Sequence, residues 1–424
     1  MAACTAIVGI NWGDEGKGRM IDLLTEAFDI VIRYQGGGNA GHTVINRYGE
    51  FMLHLLPSGV FRSGVVNILG NGVALDPEHL IHEIKELQNK GVSITPENVK
   101  ISERASLLLP WHRKLDALEE ARLQDKQFGS TKKGIAPFYS DKYQKKTVLA
   151  GELFYPDILR QHLKDLREWK NLILTGAYGA EPVTEEEIEA WIKQYCEPLK
   201  PFIQDTRTFL LDAIDNHKRI LFEGQMGALR DLDYGMYPYT TSSNTLASFA
   251  PIGAGVPGTE IDRVIGVVKA YSSCVGEGPF VCEYFGEQAE QLIQIGGEVG
   301  GHRPHRVGPI DLVATRYGVQ VQGATEIALT KLDVLGKLDE IPLCVRYKLG
   351  GREISEMPFP SVVGKCEPVY ETMKGWKSDI SNVRHWWDLP VEAQDYVKRI
   401  EDSIGVVIKW ISVGPERHSI IRRG

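Results

Sequence analysis

Cysteine is scarce in this chain: among 424 residues there are 6, at positions 4, 196, 274, 282, 344 and 366. None lies in a CxxC pair or near histidine at metal-ligand spacing, which excludes a zinc module and a disulfide scaffold and leaves reduced structural thiols. Positive charge is also short. Lys+Arg 48 against Asp+Glu 56 gives a net charge of −8 and a pI near 5.8, so no overall field draws the chain to nucleic acid or an anionic membrane. No apolar stretch approaches the roughly 20 residues that cross a bilayer. The apolar start lacks a basic n-region and runs straight into Asn11-Trp12-Gly13, as a first strand does and a signal peptide does not. Internal repeats, low-complexity tracts and linkers rich in Pro, Gly or Ser are missing too. The expectation is one cytoplasmic domain over 1–424 that binds neither nucleic acid nor membrane, and that holds any anionic ligand through a local site.

What is present suits a globular enzyme. Hydrophobic residues make up 43% and charged residues 25%, enough apolar material for a sizeable core. Short β-branched runs at 5–10, 29–34, 66–70, 172–175, 219–222, 263–268, 326–330, 342–347 and 406–411 mostly lie among helix-like segments. That alternation predicts an α/β fold, a large central, mainly parallel sheet flanked by helices with loop and helical insertions. One helix start is explicit: Thr184 and Glu187 have capping-box spacing, and Ile188, Trp191, Ile192 and Tyr195 follow at helical intervals. Glycine and proline cluster at 13–18, 36–41, 251–258, 276–279 and 296–309. In a parallel sheet, ligands bind where such loops leave the carboxyl ends of the strands.

The strongest chemical pattern is Gly13-Asp14-Glu15-Gly16-Lys17-Gly18, between the first strand and a helix-like run. Glycines let amides approach an anion, a helix N-terminus adds its dipole, and lysine adds a charge, so this resembles a phosphate loop. Its spacing is not GxxxxGK[ST], and it lacks that motif's hydroxyl metal ligand. Asp14 beside phosphates suits a Mg2+ ligand, a base, or both. A surface turn with Asp14 bonded to its own backbone would show the same letters. After the second strand, Gln35-Gly36-Gly37-Gly38-Asn39-Ala40-Gly41-His42-Thr43 carries a histidine to the same sheet edge. There it can act as general acid or as donor to a developing phosphoryl charge. A third run, Thr330-Lys331-Leu332-Asp333-Val334-Leu335, ends a strand in Lys-x-Asp. Such an aspartate can accept both N1–H and the 2-amino group of guanine while the lysine stem covers the base. A helix capped by Asp333 is the plain alternative. Weaker patterns are a lysine-rich loop at 132–146, which reads first as a solvated surface, the Arg303 and Arg306 guanidiniums near glycines, and a hydroxyl cluster at 238–245.

Taken in order, 12–18, 35–43, Tyr237-Pro238-Tyr239-Thr240-Thr241-Ser242-Ser243-Asn244-Thr245, Lys269-Ala270-Tyr271-Ser272, 276–280, 330–335 and 370–376 resemble the adenylosuccinate synthetase family along nearly the whole chain. The resemblance implies a fold related to P-loop NTPases and a Mg2+-dependent, GTP-driven ligase of purine biosynthesis that joins L-aspartate to IMP through 6-phosphoryl-IMP. It assigns catalysis to Asp14 and His42, and the metal to Asp14 and the Gly41 carbonyl. GTP falls to Gly13, Glu15, Gly16, Lys17, Gly18, Gly41, Thr43, His305, Lys331, Asp333, Ser412 and Gly414. IMP falls to Asp14, Lys17, Asn39, Thr131, Lys145, Met226, Thr241 and Arg303, and the amino acid to Gly301, His302, Arg303 and His305. Lys145 stands where the family has an arginine that crosses a dimer interface, which implies a homodimer; lysine keeps the charge without the bidentate fork.

Two departures touch the substrates. Glu223-Gly224-Gln225-Met226-Gly227 puts methionine where the family carries a polar glutamine, and 300–306 is shorter and poorer in arginine than the family's aspartate loop. They leave open a paralogue using another amine or another 6-oxopurine nucleotide such as (d)GMP. A GTP-binding regulatory protein is the reading from another class; Asp14 and His42 argue against it, since guanine binding alone needs neither. Asp333→Asn is expected to weaken the preference for GTP over ATP in phosphate-release assays, and unchanged discrimination would remove Asp333 from the guanine site.

Overall fold

The computed structural model describes residues 3–46, 48–300 and 303–423. Its organising element is a ten-stranded sheet. In chain order the strands are β1 (Cys4–Gly9), β2 (Ile30–Arg33), β3 (Val66–Leu69), β4 (Val99–Ser102), β5 (Ile203–Gln204), β6 (Ile220–Glu223), β7 (Arg263–Lys269), β8 (Glu326–Thr330), β9 (Ile408–Ser412) and β10 (Ile420–Arg422). In space they run β10-β9-β8-β7-β1-β6-β2-β3-β4-β5. Neighbours are parallel apart from β9 and β10, which are antiparallel.

Burial on both faces explains the uninterrupted apolar lettering of the central strands. Ala6, Val8, Ile30, Ile32 and Phe222 point into one core cluster, while Ile7, Val31, Leu221 and Ile265 point into another that includes Met20 and Ile21 of the helix Lys17–Leu24. The alternation is the period-2 geometry of a strand with a hydrophobic layer on each side.

Elsewhere the structure corrects local expectations. The run 172–175 is not a strand but the end of the helix Pro156–Tyr178. Its buried residues Leu159, Leu163, Leu166, Lys170 and Leu174 recur every three or four positions, so a helical face overrode a short local β pattern. The run 342–347 lies in Glu340–Leu349, outside the main sheet, paired antiparallel with Arg352–Ile354 and Glu367–Lys374. The helix start at Thr184 is as expected: its hydroxyl accepts from Glu187 N at 3.2 Å, and Glu187 accepts from Thr184 N at 2.7 Å. No helix among the described residues is long and apolar enough to cross a membrane.

Parallel pairing brings the ends of the central strands to one edge. Register sets Glu223 opposite Arg33 and Lys269 opposite Thr330. The loops that follow β1, β2, β6, β7 and β8 therefore open on the same side of the sheet, and these loops carry most of the residues singled out above.

Candidate active site

The loop after β1 is shaped by Glu15. Gly13, Asp14 and Gly16 all have positive φ, at 97°, 58° and 91°, which turns the chain tightly enough for the Glu15 carboxylate to fold back beneath it. Its Oε1 accepts from the amides of Asn11 at 3.0 Å and Gly13 at 2.8 Å, and its Oε2 pairs with Lys17 Nζ at 2.7 Å. Glu15 and Lys17 are both buried. The Glu15 side chain thus braces the loop from inside and occupies the Asn11 and Gly13 amides. Gly18 is needed for packing: a Cβ there would lie 2.9 Å from Thr43 O and 3.1 Å from His42 Cβ. The helix after the Asp14 loop therefore rests directly on the strand His42–Asn46, which joins the two candidate catalytic segments.

Asp14 is half-exposed, and its Oδ2 lies 3.2 Å from His305 Nδ1 and 3.4 Å from Lys269 Nζ. Burial favours the protonated acid, but the His305 hydrogen bond and the Lys269 charge prevail and hold Asp14 below the usual carboxylate range. His305 bridges Asp14 and Glu298; those two bonds outweigh burial and raise it to about 9, so it is a cation at neutral pH. Glu298 is a buried hub that accepts from Lys269 at 2.8 Å, Lys331 at 2.9 Å, His305 at 2.8 Å and the Tyr271 hydroxyl. Asp14, Glu298 and His305 bring potential ligand atoms within 4.8 Å of one another. Glu298 is already surrounded by cations, and Asp14 shares its Oδ2 with two of them, but Asp14 alone of the three is half-exposed and open to a ligand. A carboxylate and a backbone carbonyl such as that of the exposed Gly41 are hard oxygen donors and fit Mg2+.

His42 is buried, with Nδ1 2.6 Å from Glu223 Oε1 and 3.3 Å from Arg33 Nη1. Its Nε2 is buried with no hydrogen-bond partner. Burial and the Arg33 charge push His42 down to about 4 against the pull of Glu223, so the ring is neutral at pH 7. Burial alone would raise Glu223, but the Arg33 charge and the His42 bond bring it down to about 2.

The remaining candidates group by element. Asn39 Nδ2 donates to Thr241 Oγ1 at 3.3 Å, joining two residues assigned to the same nucleotide. Thr131 rides on a loop pinned by one helix face: Glu120 Oε1 accepts from the amides of Gly129 at 2.7 Å and Ser130 at 3.1 Å, and Asp116 Oδ2 accepts from Gly134 N at 2.8 Å. Lys145 is exposed, at φ 61°. Lys331 stretches from β8 to the Gly296 carbonyl at 2.7 Å and to Glu298, while Asp333 sits half-buried in the short helix Leu332–Lys337. Lys331, not Asp333, is the N-cap of that helix. Ser412 and the Gly414 carbonyl both accept from Arg19, which ties their turn to the helix of the Asp14 loop.

Met226 takes a left-handed φ of 59° beside Gly13. The neighbouring Gln225 is buried; its Nε2 donates to the His54 carbonyl at 3.2 Å, and its Oε1 has no hydrogen-bond partner. Arg303 lies in the two-residue strand Arg303–Pro304, whereas Gly301 and His302 fall outside the described residues. Sequence reasoning gave no role to Arg33, Glu223, Lys269 or Glu298. The available signal was a charged residue closing an otherwise apolar strand, as in Ile32-Arg33, Phe222-Glu223 and Val268-Lys269.

A glycine-rich loop with a lysine, a half-exposed carboxylate and a buried imidazole at the carboxyl edge of a parallel sheet point to an α/β enzyme that handles a phosphorylated ligand. The family model described as Adenylosuccinate synthetase matches residues 6–421, and the chain belongs to that family, whose members are ligases that form a C–N bond. It is 46% identical over 420 residues to the adenylosuccinate synthetase of Caldanaerobacter subterraneus subsp. tengcongensis, covering 98% of each chain. The structure of fully ligated adenylosuccinate synthetase from Plasmodium falciparum matches with a TM-score of 0.93 and 34% identity over 100% of both chains. The cyanophage S-2L succinoaminodeoxyadenylate synthetase bound to dGMP and dATP shares the fold, with a TM-score of 0.65 and 18% identity over 100% of this chain and 95% of that one.

Removing Glu298 would leave the buried Lys269 with only the longer, 3.4 Å contact to the half-exposed Asp14 as a carboxylate partner. Glu298→Ala is expected to cost about 3–5 kcal/mol of folding stability in denaturant titrations, and a loss of less than about 1 kcal/mol, the scale of an exposed pair, would contradict the hub role.

Proposed function

We infer that the chain carries out its family's reaction, IMP and L-aspartate to adenylosuccinate at the expense of GTP, with the residues gathered at the sheet edge. Formation of a C–N bond in purine biosynthesis and the use of GTP come with membership of the family. The roles of single residues are our assignment, and so are Mg2+, the cytoplasmic location and a homodimer in which Lys145 reaches the partner's nucleotide.

The observation that carries the assignment is a half-exposed carboxylate, Asp14, on a segment packed against a buried imidazole whose Nε2 has no partner. Asp14 accepts the N1 proton of IMP, which raises the electron density on O6. That oxygen attacks the γ-phosphorus of GTP, GDP leaves, and 6-phosphoryl-IMP forms. The aspartate amine then attacks C6 and phosphate departs with O6. Phosphoryl transfer asks the protein mainly for positioning and charge neutralisation. The loop amides and Lys17 cradle the phosphates, with Lys17 held in place by Glu15, and His42 Nε2 faces the group in transit. Asp14 and the Gly41 carbonyl would hold Mg2+, which would add neutralisation of phosphoryl charge.

Guanine is taken by Asp333 beneath the Lys331 stem, with the 412–414 turn closing the pocket. IMP lies against Asn39, Thr131 and Thr241, with Met226 giving apolar contact in place of a hydrogen bond. The amino acid is assigned to His305, a cation beside Asp14, and to Arg303. In the test, purified protein receives GTP, Mg2+, IMP and L-aspartate, and phosphate release is measured. Asp14→Ala and His42→Ala are each expected to abolish it, and substantial turnover by either variant would remove this mechanism.

A further inference from the structure

Glu223 closes β6 without exposed surface, opposite Arg33 at the end of β2. Its carboxylate accepts from Ser58 N at 2.8 Å, Ser58 Oγ at 2.9 Å, Arg33 Nη1 at 3.1 Å and His42 Nδ1. Arg33 is fixed in turn by donating from Nη2 to the His54 carbonyl at 2.8 Å. A carboxylate bonded on both oxygens within a packed strand pair cannot turn without breaking several hydrogen bonds, so its position is set by the sheet.

That position decides which nitrogen of His42 carries the proton. Nδ1 has two neighbours of opposite kind: Glu223 Oε1, which only accepts, at 2.6 Å, and Arg33 Nη1, which only donates, at 3.3 Å. An unprotonated Nδ1 would set its lone pair against an anionic oxygen at the shorter of these distances. A protonated Nδ1 makes a short charge-assisted bond and meets Arg33 only at the longer distance. The carboxylate therefore wins, and Nε2 is left as the ring's one open position, buried and without a partner.

We propose that Glu223 is the positioning residue for His42, fixing the plane of the ring and committing Nδ1 so that Nε2 alone meets the phosphoryl group. This rests on the reading of His42 given above. With Nδ1 committed, Nε2 is the ring's one open nitrogen and is held in a single direction; it accepts while the ring is neutral, and donates to the transferred group only when the ring takes up a second proton, which has no other place to go. Arg33 balances the Glu223 charge, so the device is neutral overall and the strand ends tolerate its burial.

The test uses the full-length protein. Ring 15N shifts of His42 in the wild type are expected to show a neutral ring protonated on Nδ1, and a ring protonated on Nε2 overturns the proposal. In Glu223→Gln the amide can face the ring with either its carbonyl or its NH2, so orientation is lost. We expect kcat to fall about 10–100-fold with KM for GTP and IMP within about twofold, and Glu223→Asp to recover part of kcat. Unchanged kcat in Glu223→Gln, or an equal loss in both variants with raised KM, would overturn it. Should the glutamine variant not fold, the wild-type ring measurement still decides. His42→Ala run alongside separates the two failures: if it turns over, the role given to His42 is wrong, whereas full turnover in Glu223→Gln beside an inactive His42→Ala defeats only the positioning.

Discussion

Burying opposite charges at the ends of paired parallel strands is the constraint on which this molecule depends. Arg33 and Glu223 are both fully buried and face each other across β2 and β6. Neither can be taken from water alone without a penalty of several kcal/mol, so each requires the other and every hydrogen bond around them. The same logic governs Lys269 with Glu298, and Lys17 with Glu15. Ion pairs of this kind add little net stability, yet they confine side chains to one arrangement. At the carboxyl edge of the sheet that confinement produces a preorganised site.

The pairs also divide the labour among elements. Glu15 keeps Lys17 in the loop that follows β1. Glu223 and Arg33 surround His42. Glu298 gathers Lys269, Lys331 and His305, and so links the segment that follows β8 to the loop beside Asp14. Arg19 fastens the 412–419 turn to the first helix of the fold. Substrate-facing groups are few by comparison. Most of the charged residues at this edge hold other charged residues still, as phosphoryl transfer requires.

Much of this was legible in the letters. Fully buried parallel strands show as unbroken apolar runs, and positive φ at the phosphate loop shows as glycine, so β1, β2, β6 and the 13–18 loop could be read directly. Partners far apart in sequence could not. Glu223 and Arg33 are separated by 190 positions, and Lys269 and Glu298 by 29; the first pairing follows from strand order and the second from the path of the chain after the helix Glu287–Gly296, and no local pattern encodes either. The run 172–175 misled because a short β-branched stretch has no period of its own until the helical face around it is counted. The surroundings of Gln225 were equally hidden, since the His54 carbonyl that its Nε2 meets comes from a segment far away in sequence.

The central claim is that O6 of the purine nucleotide becomes phosphorylated at this edge before the amine arrives. IMP labelled with oxygen-18 at C6, turned over with GTP and L-aspartate, tests it most directly. Mass analysis of the products should find the label in inorganic phosphate, because the bond from C6 to O6 breaks after O6 has joined phosphorus. Unlabelled phosphate, with oxygen-18 recovered in water, would mean that O6 leaves without ever bonding to phosphorus, and would contradict the assignment of Asp14 and His42 to that transfer.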